Sequence, residues 1–415
     1  PTIRRSNGVA NDGTPNRQVW SSVTLLWRDP TLRLVTAATL LVGVQAASLI
    51  PYQSLIAVQK FGLSDAQYSM VLLAAAAIGV TSSLLVGAYT DQTARRRDPA
   101  IAAACLMTLG LLTVWVLPTS LSFVVAHALL LPLAWTVFGQ MFALARLAAS
   151  GYAQTQRDGA MTAIRALFAL PFVVVLPLWA VAFQWGISLL SVYIVAGTAA
   201  AAAAVLIIRY WPRDGSGSWS DEQSGLTLIQ SLAEMGRIRV VVRTLLAGTV
   251  QGGITLYMAL TGLILTNAGR STGEVGIFIG LIAGLEVPFM ILAGGLLHRV
   301  TKTEMISAAA LLYAGFLVVF PLTGGSPWLW ALIVPAAMGA GVILSVSIAY
   351  VQDLMSDRPG AGGALIAVLN VSGQIAAAAI FAVGTWIGGY GTASLLGSGT
   401  IAMAGTCLWW LDRQP

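Results

Sequence analysis

Glu286 is the residue best placed to do chemistry. It lies near the middle of a long apolar stretch, residues 273 to 297, where an ionised carboxylate is costly unless it is paired or faces water. A group there that gains and loses a proton according to which side is open can couple proton flow to a substrate. Glu286 is therefore the candidate proton carrier and a candidate ligand for hydroxyl groups; the alternative is a neutral or paired Glu joining two helices. Arg165, Arg146 and Asp353 are the candidate charge partners. Arg165 lies nearer the end of its own stretch, a depth gap to Glu286 of ~10 Å at ~1.5 Å per residue, and it can equally reach to the interface. Gln45, Gln251, Asn370 and Gln374 are amides within apolar stretches, and the last two, one helical turn apart, share a face. Amides aimed inward supply the donors and acceptors that a neutral polyol needs, with Tyr52, Trp135 and Tyr257, and also Trp179, as candidate ring partners. The alternative is amides that bond helix to helix. His127 lies in the outer part of its stretch and His298 at a helix end. There is no phosphate loop, no His/Cys metal spacing and no nucleophile elbow, so an enzyme, a metal and a cofactor are not expected.

The elements that must position these groups are membrane helices. Of 415 residues, 57% are hydrophobic and 9% charged, with a mean hydropathy of +0.82, whereas a soluble domain carries about 25% charge. A bilayer core about 30 Å thick needs ~20 apolar residues of helix. Twelve stretches qualify: 31–53, 66–89, 100–118, 120–145, 161–183, 187–209, 243–265, 273–297, 304–321, 328–350, 362–386 and 392–411. They are unbroken rather than alternating, which excludes a barrel. Cytoplasmic loops collect Lys and Arg, and with the N-terminus inside, all of the 22 basic residues but Lys60 and Arg270 fall on that side. Both termini are then cytoplasmic. The net charge of +6 is spread in short clusters between apolar stretches, which argues against nucleic acid. Residues 1–29, with Arg4, Arg5, Arg17 and Arg28, have no signal-peptide core and read as a polar tail. Cys105 and Cys407 lie in apolar runs and are expected to be buried free thiols. Trp115, Trp185, Trp328, Trp330 and Trp386 near one set of loops, and Trp27, Trp211, Trp409 and Trp410 near the other, form an expected aromatic belt.

The chain repeats itself at an offset of 206 or 207 positions. Val44-Gln45-Ala46-Ala47 matches Val250-Gln251-Gly252-Gly253; Gly87, Asp91 and Arg95 match Gly294, His298 and Lys302; Arg146 matches Asp353. Two parallel six-span repeats with a site between them resemble the plan of the major facilitator superfamily. The stretch Gly87-Ala-Tyr-Thr-Asp91-Gln-Thr-Ala-Arg95-Arg96 resembles that superfamily's loop signature, departing from it at Tyr89, Gln92 and Ala94. Physically, Gly87 lets another helix approach, Asp91 favours a neighbouring helix N-terminus, and the arginines hold an anionic leaflet. The resemblance implies that Gly87, Asp91, Arg95 and Arg96 form a conformational latch. The expected units are a tail 1–29, a bundle 30–209, a linker 210–240, a bundle 241–411 and a terminus 412–415.

Three further stretches resemble the bacterial sugar efflux transporters: Gln140 to Arg146, Gly284-Leu-Glu-Val-Pro-Phe-Met-Ile-Leu-Ala-Gly294, and Val351 to Met355 followed by Arg358-Pro-Gly-Ala-Gly-Gly-Ala364. That resemblance implies proton-driven export of small sugars or glycosides across the bacterial inner membrane by a monomer, its partners being sugar, protons and lipid. The Gly-Pro kink of related antiporters is replaced by Leu176-Pro177, with a second proline at Pro171. A drug or metabolite exporter on the same fold is the near alternative. An integral-membrane enzyme or receptor is the distant one, lacking a catalytic cluster or a large extramembrane domain.

Overall fold

A computed structural model of the chain describes residues 24–216, 219, 238–297, 299–354 and 359–414. Arg4, Arg5 and Arg17 of the tail, most of the linker, His298 and Arg358 lie outside the described residues. Among the described residues every regular element is helical. The spans are α1 (Pro30–Lys60), α2 (Asp65–Thr93), α3 (Arg97–Val116), α4 (Ser120–Ala148), α5 (Gln154–Gln184), α6 (Ser191–Tyr210), α7 (Ile238–Asn267), α8 (Thr272–Leu296), α9 (Lys302–Thr323) and α10 (Ile333–Asp353). The last continuous helix, Pro359–Arg413, is 55 residues long and contains a break at Gly388 and Gly389. Gly389 has φ 84°, in the left-handed region that favours glycine, and Gly384 lies against Ala393 and Gly388 against Thr392. The chain therefore doubles back there, giving α11 (359–387) and α12 (390–413), and the twelve expected spans are all present.

Local sequence sets the helix starts. Asp29 caps α1, accepting from the Thr31 and Leu32 amides, with Pro30 in the first turn. Ser64 with Gln67 and Ser271 with Glu274 form capping boxes at the equivalent starts of α2 and α8, a further trace of the repeat. Thr301 with Glu304 caps α9. The outer part of α1 is irregular, passing through a 3-10 turn at Ile50–Tyr52 and a π segment at Ile56–Lys60, and α4 carries a π segment at Ala126–Leu130.

Helices pack through glycine where backbones must meet. Gly252 of α7 faces Gly373 of α11 so closely that a Cβ on Gly252 would stand 2.6 Å from the Gly373 carbonyl oxygen. A Cβ on Gly43 of α1 would stand 2.7 Å from the Phe168 carbonyl oxygen of α5. Two expectations are corrected. Both cysteines are free, but Cys105 and Cys407 are exposed rather than buried, since each points out of its helix away from the bundle. Trp211 is buried within the protein, not displayed as a belt residue, whereas Trp27, Trp185, Trp328 and Trp386 are strongly exposed.

Candidate functional site

The halves α1–α6 and α7–α12 meet toward the face remote from the arginine clusters. Gln59 Nε2 donates to Thr266 Oγ1 (3.0 Å) and Tyr390 Oη donates to Asp65 Oδ1 (2.8 Å). Leu55 packs on Gly262, the Tyr52 hydroxyl on Gly276, and Tyr68 edge-on to Phe381. Along α5 and α8, Ala180 meets Gly273, Leu176 meets Gly276 and Gly280, and Val173 meets Gly284. Leu176, next to Pro177, thus supplies the flat seat for two glycines of the facing helix.

Toward the basic face the halves part. A Cβ at Gly87, Gly294 or Gly295 would meet open space. Four ion pairs there each join residues of one half: Asp91 with Arg96 (2.9 Å), Lys302 with Asp353, Arg243 with Asp412 (3.3 Å) and Glu304 with Arg413 (3.1 Å). Val80 and Leu84 of α2 face Leu245, Val368 and Ser372 of α7 and α11 across an apolar cleft of about 290 Å³. The central space is therefore open to the basic face and shut at the other.

Of the expected site residues, the C-terminal half brings several together. Gln251 Nε2 donates to Asn370 Oδ1 (2.8 Å), and Gln374 follows one turn along the same face of α11. Asn370 and Gln374 are both exposed. Glu286 is half-buried and lies off the outward face of α8, where Leu281, Leu285, Leu292 and Leu296 are exposed. It acts electrostatically on the hydroxyls of Tyr257 and Tyr313, and it forms no hydrogen bond or ion pair among the described residues. A Cβ on Gly341 of α10 would lie 2.8 Å from the Glu286 carbonyl oxygen, so α10 backs directly on this turn of α8. Tyr257 is fully buried within Tyr313, Phe316 and Phe320, at ring distances of 6.4, 5.4 and 5.9 Å, and its hydroxyl has no partner.

The other expected residues are placed differently. Gln45 is buried with both amide atoms unpartnered and does not join Gln251, so the four amides do not form one set in this state. Tyr52 is buried in the closed end, edge-on to Phe183, which stacks on Trp179; the Trp179 Nε1–H donates to Ser48 (3.1 Å). Trp135 is half-buried against Phe138 (6.2 Å). Arg165 does not pair with Glu286: its guanidinium stands over the Phe142 ring at 5.8 Å, near Arg146. Asp353 is taken by Lys302. In the loop after α2, Arg96 also donates to Thr90, and Asp214 Oδ1 accepts from the Arg96 and Arg97 amides. His127 is a satisfied core residue, stacked on Phe123 and bonded to the Tyr193 hydroxyl (2.7 Å).

Two features escaped sequence reasoning. Tyr313 stands beside Glu286 although it comes from α9, and its one sequence signal is a phenol inside an apolar run. In the other half, Phe138 of α4 meets Trp135 (6.2 Å), Phe142 (4.8 Å) and Phe168 of α5 (5.0 Å), and Phe168 meets Phe172 (6.0 Å). Their spacing of three and four residues was readable as a stripe.

The arrangement has close counterparts. Sugar efflux transporter A of Dickeya chrysanthemi is 26% identical over 377 residues, covering 89% of this chain and 92% of that protein. The solved nucleoside transporter NupG superposes with a TM-score of 0.74 at 13% identity over 93% of this chain and all of that one. A D-xylose-proton symporter gives 0.67 at 14% identity over 94% and 97%. At such identities these structures speak for the fold alone, twelve helices around a central space. The family description that matches residues 35–382 agrees with it, and the chain belongs to the Major Facilitator Superfamily, as a multi-pass membrane transporter and not an enzyme.

Proposed function

We propose that this transporter exports small sugars or glycosides by alternating access, as a proton antiporter, with the basic face and both termini in the cytoplasm of a bacterial cell. The carrying observation is Glu286: a carboxylate without a partner, beside two tyrosines and on the same half as the Gln251–Asn370 pair. Proton uptake removes a charge that the membrane interior tolerates poorly, and the open side decides where that proton comes from. The relative's name, a sugar efflux transporter, supports the substrate class. In this reading residues 30–209 and 241–411 are the rocking bundles, 1–29, 210–240 and 412–415 are cytoplasmic, and the chain works as a monomer. The structure's opening is then inward. Gly87, Asp91, Arg95 and Arg96 steady the opposite state, which is why Gly87 faces open space here. Gln45, Tyr52, Trp135 and Tyr257 reach substrate in states where their surroundings open, and Gln251, Asn370, Gln374 and Glu286 form the wall accessible now.

Counterflow of labelled sugars in proteoliposomes with an imposed pH gradient tests this. Wild-type protein is expected to exchange sugar and to accumulate it against its gradient when the pH gradient is present. Glu286→Gln should keep exchange and lose at least tenfold of the gradient-driven accumulation. A Glu286→Gln protein with wild-type pH dependence sinks the coupling role, and failure of a broad sugar panel to exchange sinks the substrate class. One observation favours a second reading, export of lipophilic compounds: the aromatic series from Trp135 to Phe172 offers no hydroxyl partners. Exchange of lipophilic cations without exchange of any sugar decides for it.

A further inference from the structure

We propose that the substrate carries an anionic group, a carboxylate or phosphate on a glycoside, which Arg165 and Arg146 hold at the α4–α5 wall of the inward opening. This deepens the export reading above and rests on it.

Arg165 lies on the face of α5 that binds the other half. Phe172, Leu176 and Ala180 are seven, eleven and fifteen residues further along, which at 3.6 residues per turn puts them all on one side, and this side seats the glycines of α8. Below the Val173–Gly284 contact the halves separate, so the exposed Arg165 looks into the space between them rather than into lipid. Its guanidinium stands 5.8 Å from the Phe142 ring centroid, and Arg146, one turn further along α4 and also exposed, is the charged group that acts on it. Among the described residues neither arginine has an acidic partner; the carboxylates of Asp91, Asp353, Asp412 and Glu304 are bound to Arg96, Lys302, Arg243 and Arg413.

The repeat sharpens the anomaly. Arg95 and Arg146 are the equivalents of Lys302 and Asp353. Where the C-terminal half closes an ion pair, the N-terminal half has two cations. A latch needs no second cation at position 146, and anchoring at a leaflet does not explain a guanidinium on the face that meets the other half. Two guanidiniums side by side repel, and an anion between them removes that cost while forming charge-assisted, bidentate bonds. Phe142 and Phe168, both in contact with Phe138, supply apolar faces for the rest of such a molecule, with CH faces of a pyranose or an aglycone laid on the rings. An interior-negative membrane potential drives an anion outward, the direction of export.

The test uses a matched pair, p-nitrophenyl glucoside and p-nitrophenyl glucuronide, which differ by one carboxylate, as competitors of labelled counterflow by the full-length protein in vesicles of neutral lipid. The glucuronide is expected to compete at roughly tenfold lower concentration, the worth of one hydrogen bond to a charged group. Arg165→Gln and Arg146→Gln should each bring the ratio of the two inhibitory concentrations close to one, and Arg165→Lys should keep part of it. Intrinsic tryptophan fluorescence on heating separates loss of binding from loss of fold. A wild-type ratio near one with the glucoside transported overturns the proposal and leaves the export reading standing. So does a ratio that the Gln variants do not change, or one that follows the anionic lipid content of the vesicle, which would make the arginines membrane ligands. Transport of neither glycoside overturns the export reading first, and the anion site with it.

Discussion

The two halves repeat one another along the chain and differ at the residues assigned above to the proposed site. They share capping boxes at Ser64–Gln67 and Ser271–Glu274 and a glutamine halfway through the first helix of each. They differ in three ways. The C-terminal half packs α7 on α11 through Gly252 and Gly373, while the equivalents of Gly252 and Gly253 are Ala46 and Ala47. The N-terminal half bends its central helices through π segments, Ile56–Lys60 and Ala126–Leu130, where α7 runs unbroken over Ile238–Asn267. The C-terminal half carries amides, tyrosines and Glu286 on its side of the space, while the other carries aromatic rings and two arginines. Shared features build the scaffold, and in the proposed reading the divergent ones build the substrate's two surroundings.

Exchanging the packing residues breaks the comparison most severely. A Cβ on Gly252 has no flexible side chain to push aside, only the Gly373 backbone, so Gly252→Ala should cost ~1–3 kcal/mol by overpacking and Gly252→Val more. The reverse exchange, Ala46→Gly in a fully buried helix position, should cost ~1 kcal/mol through helix propensity and a lost methyl. Thermal unfolding in detergent, followed by tryptophan fluorescence, ranks them. Equal shifts for Gly252→Ala and Ala46→Gly would show that the Gly252–Gly373 approach contributes nothing special to stability.

That asymmetry also explains what could be read without coordinates. Depth along a span is a matter of counting residues, and so the spans, the turn of the chain after residue 387 and the place of Glu286 near the middle of α8 were all legible. Direction around a helix axis is not so simple. Each π segment inserts an extra residue, and a shift of 100° per residue moves a side chain from cavity to core. Gln45 and Gln251 occupy equivalent positions, yet one is sealed and unpartnered and the other bonds Asn370. Tyr313 meets Glu286 through contacts between α8 and α9 that local sequence does not encode. The cysteines failed for the same reason, since an apolar run on a membrane helix has an outward face as apolar as its inward one.

The closed end offers a subtler test, because two hydrogen bonds cross between the halves there among the described residues, Gln59–Thr266 and Tyr390–Asp65. Tyr390→Phe removes the second while leaving the ring against Phe381. A bond to a carboxylate that is partly open to water should contribute ~1 kcal/mol, so the balance between states should move roughly fivefold toward opening at this face. Labelling rates of a cysteine introduced at Ser54, buried in the outer part of α1, measure it in a background with Cys105 and Cys407 replaced. Unchanged labelling would assign the closure to the packing of Leu55, Leu176 and their glycines alone.

The smallest effect should come from making the N-terminal half imitate its partner. Arg146→Asp gives that half the charges of the Lys302–Asp353 pair at the equivalent positions, an acid at 146 and the cation at Arg95. Both positions are exposed, so the new pair should contribute ~0.5 kcal/mol or less to stability, and even that should fade as salt rises. The consequence for binding is of opposite character. With a carboxylate beside Arg165, the guanidinium has a permanent partner and an incoming anion meets repulsion, so the glucuronide preference should fall below one while thermal stability hardly moves. If Arg146→Asp instead leaves the preference intact, position 146 belongs to the scaffold shared by the two halves and not to the surroundings that distinguish them.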